Sequence, residues 1–349
     1  MSLSFVRSLL SLTLLLLQAS RPCLCQTVPK MTDTVQESYY TKAVRLSDPH
    51  KFNLSSDSML LRYPLPTVEQ LGSDPSAVIY LRNYLVVRLR ELIVTYRKDT
   101  LNGKVLLTRE LGQPFDSVMS WGRLYGDDYI GTLYARKIFT KPVQEKYIAE
   151  RLLYYCENRD YTIVKKLYET YSRDFPEGPH AALCRQRMGE LQRILAQNER
   201  NAEIVFRADS GKVSSVEQLL APYKGRYVYL DIWGSWCGPC REEMKFTPAL
   251  KEHFSGRDIV FLYLDMDEDR QDERWKSFVR LENITGQHLR MEQDALEKIW
   301  QVVSPGGDGS RSYPSYFIFD KDGKALTVKA RRPSEKEALY RQLEEIINK

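Results

Sequence analysis

The spacing of apolar residues changes near residue 200, and with it the kind of structure the chain can build. Upstream, "AVIYLRNYLVVRLRELIVTYRK" (77–98) has apolar residues at helical spacing. So has the stretch from Pro142 to Gln197, where Ile148, Leu152 and Tyr155, then Ile163, Leu167, Tyr168 and Tyr171, recur every three or four positions. This predicts three helices, broken at "ENRD" and "DFPEGP". Pro142 suits a first helical turn and "FPEGP" a stop. The turn "YSRDFPEGPHAALC" and its flanking helices look like a single tetratricopeptide-type hairpin. No repeat at a fixed period accompanies it, so a small helical bundle is the expectation. Between Gln26 and about Ala77 the pattern is weak, and "YPLPTVEQLGSDPSA" reads as loop leading into a helix.

The polar segment "RILAQNERNAEI" marks a boundary. After it, "YVYLDIW" and "DIVFLYLDM" are short β-rich apolar runs, as in buried strands. "REEMKFTPALKEHF" between them reads as a helix that Pro248 should kink, and "DERWKSFVRLE" and "DALEKIWQVV" as further helices. "SYFIFDKDGKALTVKA" reads as a hairpin turning at Asp322-Gly323. "SEKEALYRQLEEIINK" closes the chain as a helix, with Ser334 and Glu337 as its expected capping box. The order strand, helix, strand, helices, hairpin, helix predicts an α/β domain, a mixed central sheet flanked by helices and preceded by an α-helical domain. The expected division is 1–25, 26–200 and 201–349.

The first residues follow neither pattern. Arg7 lies in a short polar start, and Leu9 to Leu17 is an apolar run that suits a secretory signal better than a bilayer span. Cleavage after Cys25 would leave Gln26 first; an uncleaved segment would tether the chain to a membrane instead. Removal takes Arg7 and Arg21 and no acid, so a net charge of +5 becomes +3, too mild and dispersed for nucleic acid. Of six cysteines, Cys156, Cys184, Cys237 and Cys240 would remain, in a compartment where disulfides persist. Cys156 and Cys184 lie on successive predicted helices; buried free cysteines behave as small hydrophobes, and no bridge between them is expected.

Cys237 and Cys240, in "YLDIWGSWCGPCREEMKFTP" (229–248), carry the chemistry. Structural zinc needs four ligands, but no second cysteine or histidine pair is near and His253 stands alone. A structural crosslink would close a tiny loop and stabilise little, so such a bond is better explained as one made to open. A redox dithiol has a mechanism. Cys237 falls where strand turns into helix, and the free N–H groups there favour the thiolate, the attacking species. Cys240 lies one turn on, placed to resolve a mixed disulfide, and Pro239 fits a first helical turn.

"WCGPC" in this strand–helix setting resembles thioredoxin. With the export-like start, "YVYLDIWGSWCGPCREEM" and "FIFDKDGK", residues 202–349 resemble more specifically the TlpA-type periplasmic thiol–disulfide oxidoreductases. The resemblance implies a thioredoxin fold and places Asp231 as the buried carboxylate that accepts the Cys240 proton. It implies a cis-proline at Pro314, beside the cysteines, with Tyr313 offering its backbone to substrate. Trp236, Gly238 and Pro239 would complete the substrate surface, whereas Trp233 is expected in the core. Two features depart from the family. Its lysine beside the carboxylate is absent from "FLYLDMD", which offers Tyr263, and "VVSPGGDGSRSYP" is longer and richer in glycine than the usual link.

The expectation is therefore an exported, periplasmic thiol–disulfide oxidoreductase that reduces protein disulfides, with no metal or other cofactor. Its partners would be disulfide-containing proteins and, from the resemblance, a membrane electron donor. A disulfide isomerase or oxidant, and a scaffold with an incidental or regulatory dithiol, are the alternatives.

Overall fold

The computed structural model describes residues 64–291, 293–303, 311–327 and 330–348. The expected signal segment and most of the glycine-rich stretch before Pro314 lie outside them. Two compact units divide after Gln192.

The first unit is helical: α1 (Val68–Ser73), α2 (Pro75–Lys98), α3 (Thr100–Leu111), α4 (Phe115–Ile138), α5 (Lys141–Glu157), α6 (Tyr161–Asp174) and α7 (Ala181–Asn198), the last running across the division. Local chemistry sets the boundaries. Asp74 and Asp99 cap α2 and α3 by accepting the N–H groups of Ser76 and Asn102. Gly112 ends α3 in the left-handed conformation. Tyr80, Leu81 and Leu85 of α2, Tyr134 of α4, Ile148 and Leu152 of α5 and Leu167 of α6 are buried. Each such side chain contributes about 1.5–3 kcal/mol by leaving water. The three expected helices are present as α5, α6 and α7. Cys156 and Cys184 are both buried and free.

Helices α3 and α4 have no counterpart in the sequence reading. The buried side of α4 includes Asp128, Thr132 and Gly131, and Gly126 interrupts its helical geometry at φ 76°. An apolar count registers neither. Asp128 is the polar centre of the unit: Arg82 Nε lies 3.2 Å and Arg151 Nη1 3.6 Å from its carboxylate, and Tyr155 Oη donates to it at 2.7 Å. Burial opposes ionisation of Asp128, but the two guanidiniums outweigh it and hold its pKa at about 2.

The second unit is a six-stranded mixed sheet, in the order β1-β4-β3-β2-β5-β6, with helices on both faces. Its elements are β1 (Ile204–Phe206), α8 (Val216–Leu220), β2 (Tyr227–Trp233), α9 (Gly238–Met244), α10 (Thr247–His253), β3 (Ile259–Asp265), α11 (Asp272–Leu281), β4 (Gly286–Arg290), α12 (Gln293–Val303), β5 (Ser315–Phe319), β6 (Ala325–Thr327) and α13 (Glu337–Ile347). Strand β2 lies between β3, parallel, and β5, antiparallel. Val228, Leu230 and Ile232 enter one core with Leu219 of α8 and Ile299 of α12. Tyr229, Asp231 and Trp233 alternate onto the other face, which α9, α10, α11 and α13 cover.

Two local expectations change. The single kinked helix after Cys240 is two helices, with Pro248 in the first turn of α10, where no N–H is required. The capping box expected from Ser334 and Glu337 is absent. At the short turn Pro333–Glu335 the Glu335 carboxylate accepts the Arg332 N–H at 2.9 Å, and Ser334 donates its N–H and Oγ–H to Glu243 of α9, each at 2.9 Å. A buried carboxylate competes better for the serine than an exposed helix end does.

Candidate functional site

Strand β2 ends at Trp233, and the chain turns through Gly234 and Ser235 into α9. Cys237 is the N-cap of that helix, and its Sγ accepts the N–H of Cys240 at 3.2 Å. The two cysteines are joined in a disulfide, with Cα atoms 5.3 Å apart. Pro239 lies within the first turn, as its fixed φ favours. Both cysteines are largely covered, Cys237 at 5% and Cys240 at 1% exposure. A Cβ added at Gly238 would meet nothing within 4 Å, so the helix entrance is open to an approaching chain.

The cover is aromatic. Trp236 is half-buried and meets Tyr313 edge-on at 5.5 Å, and Tyr313 meets Trp300 at 6.0 Å. The Tyr313–Pro314 bond is cis. Trp233 is wholly buried with Cys237, Cys240 and Met244. The fold thus gathers Trp236, Cys237, Gly238, Pro239, Cys240, Tyr313 and Pro314 at one end of the sheet.

Asp231 lies beneath this end, two residues before Trp233 on the same strand face. It is 1% exposed, and its Oδ1 has no protein hydrogen-bond partner. Its register partners are Tyr263 on β3 and Tyr316 on β5; Tyr263 in turn pairs with His288 on β4. Burial, reinforced by the charge of Glu243, pushes the Asp231 carboxyl well above the usual carboxylate range, and Lys251 pulls the other way. Burial likewise lowers His288 to about 3, so the imidazole is neutral, with its Nε2–H donating to Ile284 O at 2.7 Å.

Lys251 is the residue that sequence reasoning missed. No cation follows Asp231 on β3, where Tyr263 stands, but α10 supplies one. Its ammonium is hydrogen-bonded to Thr285 O and Oγ1 and lies over the Tyr263 ring at 4.8 Å. Burial lowers Lys251 to about 7, against the opposing charges of Asp231 and Glu203. Only the break in the helix at Pro248 could have hinted that α10 turns this lysine back over the sheet. Among the described residues, no group of three or more histidine, cysteine, aspartate or glutamate side chains is placed to hold a metal ion. No helix among them is long and apolar enough to cross a membrane.

A mixed sheet with a two-cysteine pair at the head of a helix, and a cis-proline at the entrance to the antiparallel strand beside it, defines a thioredoxin-like domain. Residues 208–343 match the Redoxin family model, and the C-terminal unit is a thioredoxin-like domain of the TlpA type. The thiol-disulfide oxidoreductases ResA of Bacillus thuringiensis and of Bacillus cereus are each 29% identical over 136 residues, which is 37% of this chain and 66% of theirs. The chain therefore spans just under two-thirds of the length of these curated relatives. The crystal structure of the thioredoxin domain of a thiol-disulfide oxidoreductase from Bacteroides vulgatus is 21% identical, covers 37% of this chain and 84% of its own, and aligns with a TM-score of 0.31.

Proposed function

We propose that this chain is an exported thiol–disulfide oxidoreductase that reduces disulfides in proteins of the periplasm. The observation that carries the reading is the Cys237–Cys240 disulfide at the first turn of α9, with an open backbone at Gly238. In the reduced enzyme, Cys237 thiolate attacks a substrate disulfide. One substrate sulfur leaves as thiolate, and a mixed disulfide forms. Cys240 then loses its proton to Asp231 and attacks Cys237 Sγ. The second substrate sulfur leaves and the enzyme disulfide re-forms, so two electrons pass to the substrate. Asp231 suits the role because a carboxyl held above its usual range is a stronger base once ionised. Trp236, Gly238, Pro239, Tyr313 and Pro314 form the surface against which the substrate chain lies, Tyr313 offering backbone groups for an added strand.

The Gly-Pro pair between the cysteines, as in thioredoxin, implies a potential on the order of −270 mV. Return of electrons then requires a donor that crosses from the cytosol, a membrane protein. The apolar run Leu9 to Leu17 supports export.

Insulin reduction tests the reading. Wild type should precipitate insulin with dithiothreitol as electron source, and Cys237→Ser should not. Cys240→Ser should leave substrate proteins attached to Cys237, identifiable by mass spectrometry. Activity surviving in Cys237→Ser rejects the catalytic reading, and a potential near −120 mV makes the protein an oxidant.

A further inference from the structure

Beneath the loop that leads into Cys237 lies a second pair of carboxyls, which the chemistry above does not use. Asp265 closes β3 and Asp267 follows two residues on; they are 0% and 2% exposed. Asp267 Oδ2 accepts the N–H of Ser235, two residues before Cys237, at 2.8 Å. The N–H of Asp267 donates to Asp265 Oδ2 at 3.1 Å, so the first acid holds the second. Met266 N–H donates to Trp233 O at 2.8 Å, and Cys237 N–H to Gly234 O at 2.9 Å. The turn from Trp233 to Cys237 is thus pinned from β3 at its entrance and its middle. Little slack remains, because a Cβ at Gly234 would come within 2.7 Å of the Trp236 ring.

Two carboxyls this close in a buried site do not both ionise readily. Burial and the Asp267 charge raise Asp265 well above the usual range, against the pull of Arg290. The facing cation is Arg290 on β4, the register partner of Asp265, but its guanidinium bonds Asp269 and lies 3.9 Å from Asp272. Asp265 Oδ1, Asp267 Oδ1 and Ser235 Oγ are buried without a protein partner.

We propose that Asp267 is a positioning residue for the reactive cysteine: its carboxylate grips the Ser235 N–H, fixes the Trp236–Cys237 turn and keeps one negative charge beneath that loop, with Asp265 holding it in place. This rests on Cys237 being the attacking sulfur. A nearby negative charge disfavours a thiolate, so Asp267 biases the pair toward the disulfide and the protein toward donating electrons. Asp267 works against the helix start, which favours the thiolate.

The test is the pH dependence of Cys237 alkylation by iodoacetamide in the reduced full chain, beside insulin reduction. Asp267→Asn keeps an oxygen for Ser235 and loses the charge; Cys237 should then ionise about one pH unit lower. Asp265→Asn leaves the Asp267 charge and should leave the titration where it is. Asp267→Ala also loses the grip, and kcat should fall by about tenfold to a hundredfold. An unmoved titration in Asp267→Asn, or an equal shift in Asp265→Asn, overturns the proposal. If Asp267→Ala does not fold, the isosteric Asp267→Asn decides alone. Alkylation reads the thiol directly, so the result stands even where insulin is not reduced, and a failure of the reductase reading is seen separately in Cys237→Ser.

Discussion

Replacing Asp231 by asparagine should stabilise the C-terminal unit, and increasingly so as pH rises. The wild-type carboxyl is buried, its Oδ1 is unpartnered, and its ionisation is raised by burial and by Glu243. In the unfolded chain it ionises near 4. Between that pH and its folded value, the native state binds the extra proton, so stability falls as pH rises and levels off once the folded group ionises. The slope is about 1.4 kcal/mol per pH unit. For a unit running from Arg193 to Lys349, that is about 3–6 °C in Tm per pH unit. Asparagine resembles the protonated acid and carries no such slope; groups that do not interact with Asp231 titrate alike in both proteins and cancel, while Lys251 loses the Asp231 charge, ionises lower still and widens the gap in the same direction. Thermal melts of the oxidised proteins at half-unit steps from pH 5 to 8 should diverge, with the variant the more stable at the alkaline end. The same substitution should slow resolution of the Cys237 mixed disulfide by about a hundredfold. Melting temperatures that keep a constant gap, or a wild type that gains on the variant as pH rises, would refute the placement of Asp231 as a buried, unpaired acid.

Two further outcomes test its surroundings. Lys251→Met removes the cation that eases Asp231 ionisation, so the pH midpoint of mixed-disulfide resolution should move upward, read by stopped-flow release of a chromogenic thiol; a downward move would mean that Lys251 does not act on Asp231. In the helical unit, Asp128→Asn leaves Arg82 and Arg151 without their carboxylate and should cost about 3 kcal/mol in urea unfolding at neutral pH. Because Asp128 is held at about 2 and an unfolded aspartate ionises near 4, that loss should begin to shrink as pH falls below about 4 and be nearly gone by about 2; a loss already gone at pH 4 would contradict the network.

What the chain reveals by eye follows from what makes an element. Strands β2 and β3 and helices α5, α6 and α7 bury apolar residues at a regular period, and the period is visible. The dithiol is visible because two cysteines at that spacing, after a strand and before a helix, have few other uses. Strand β4 is not visible. It reads "GQHLR", yet His288 and Arg290 are buried beside Leu289, because Tyr263 stacks on the imidazole at 4.8 Å and acids hold the guanidinium. The same holds for α4 with Asp128, for Lys251 and for the Asp265–Asp267 pair. In each case a polar group occupies a core position, and only a partner distant in sequence makes that tolerable. Such positions break the apolar period for the reason that makes them candidates for function: an isolated charge is costly inside a protein, so its ionisation is set by neighbours. Near the dithiol, the residues hardest to place from the sequence are therefore Lys251 and Asp267, the groups proposed to act on it. Asp231 is legible because it lies on the strand that delivers the cysteines, whereas Lys251 and Asp267 reach the site across turns that no linear spacing measures.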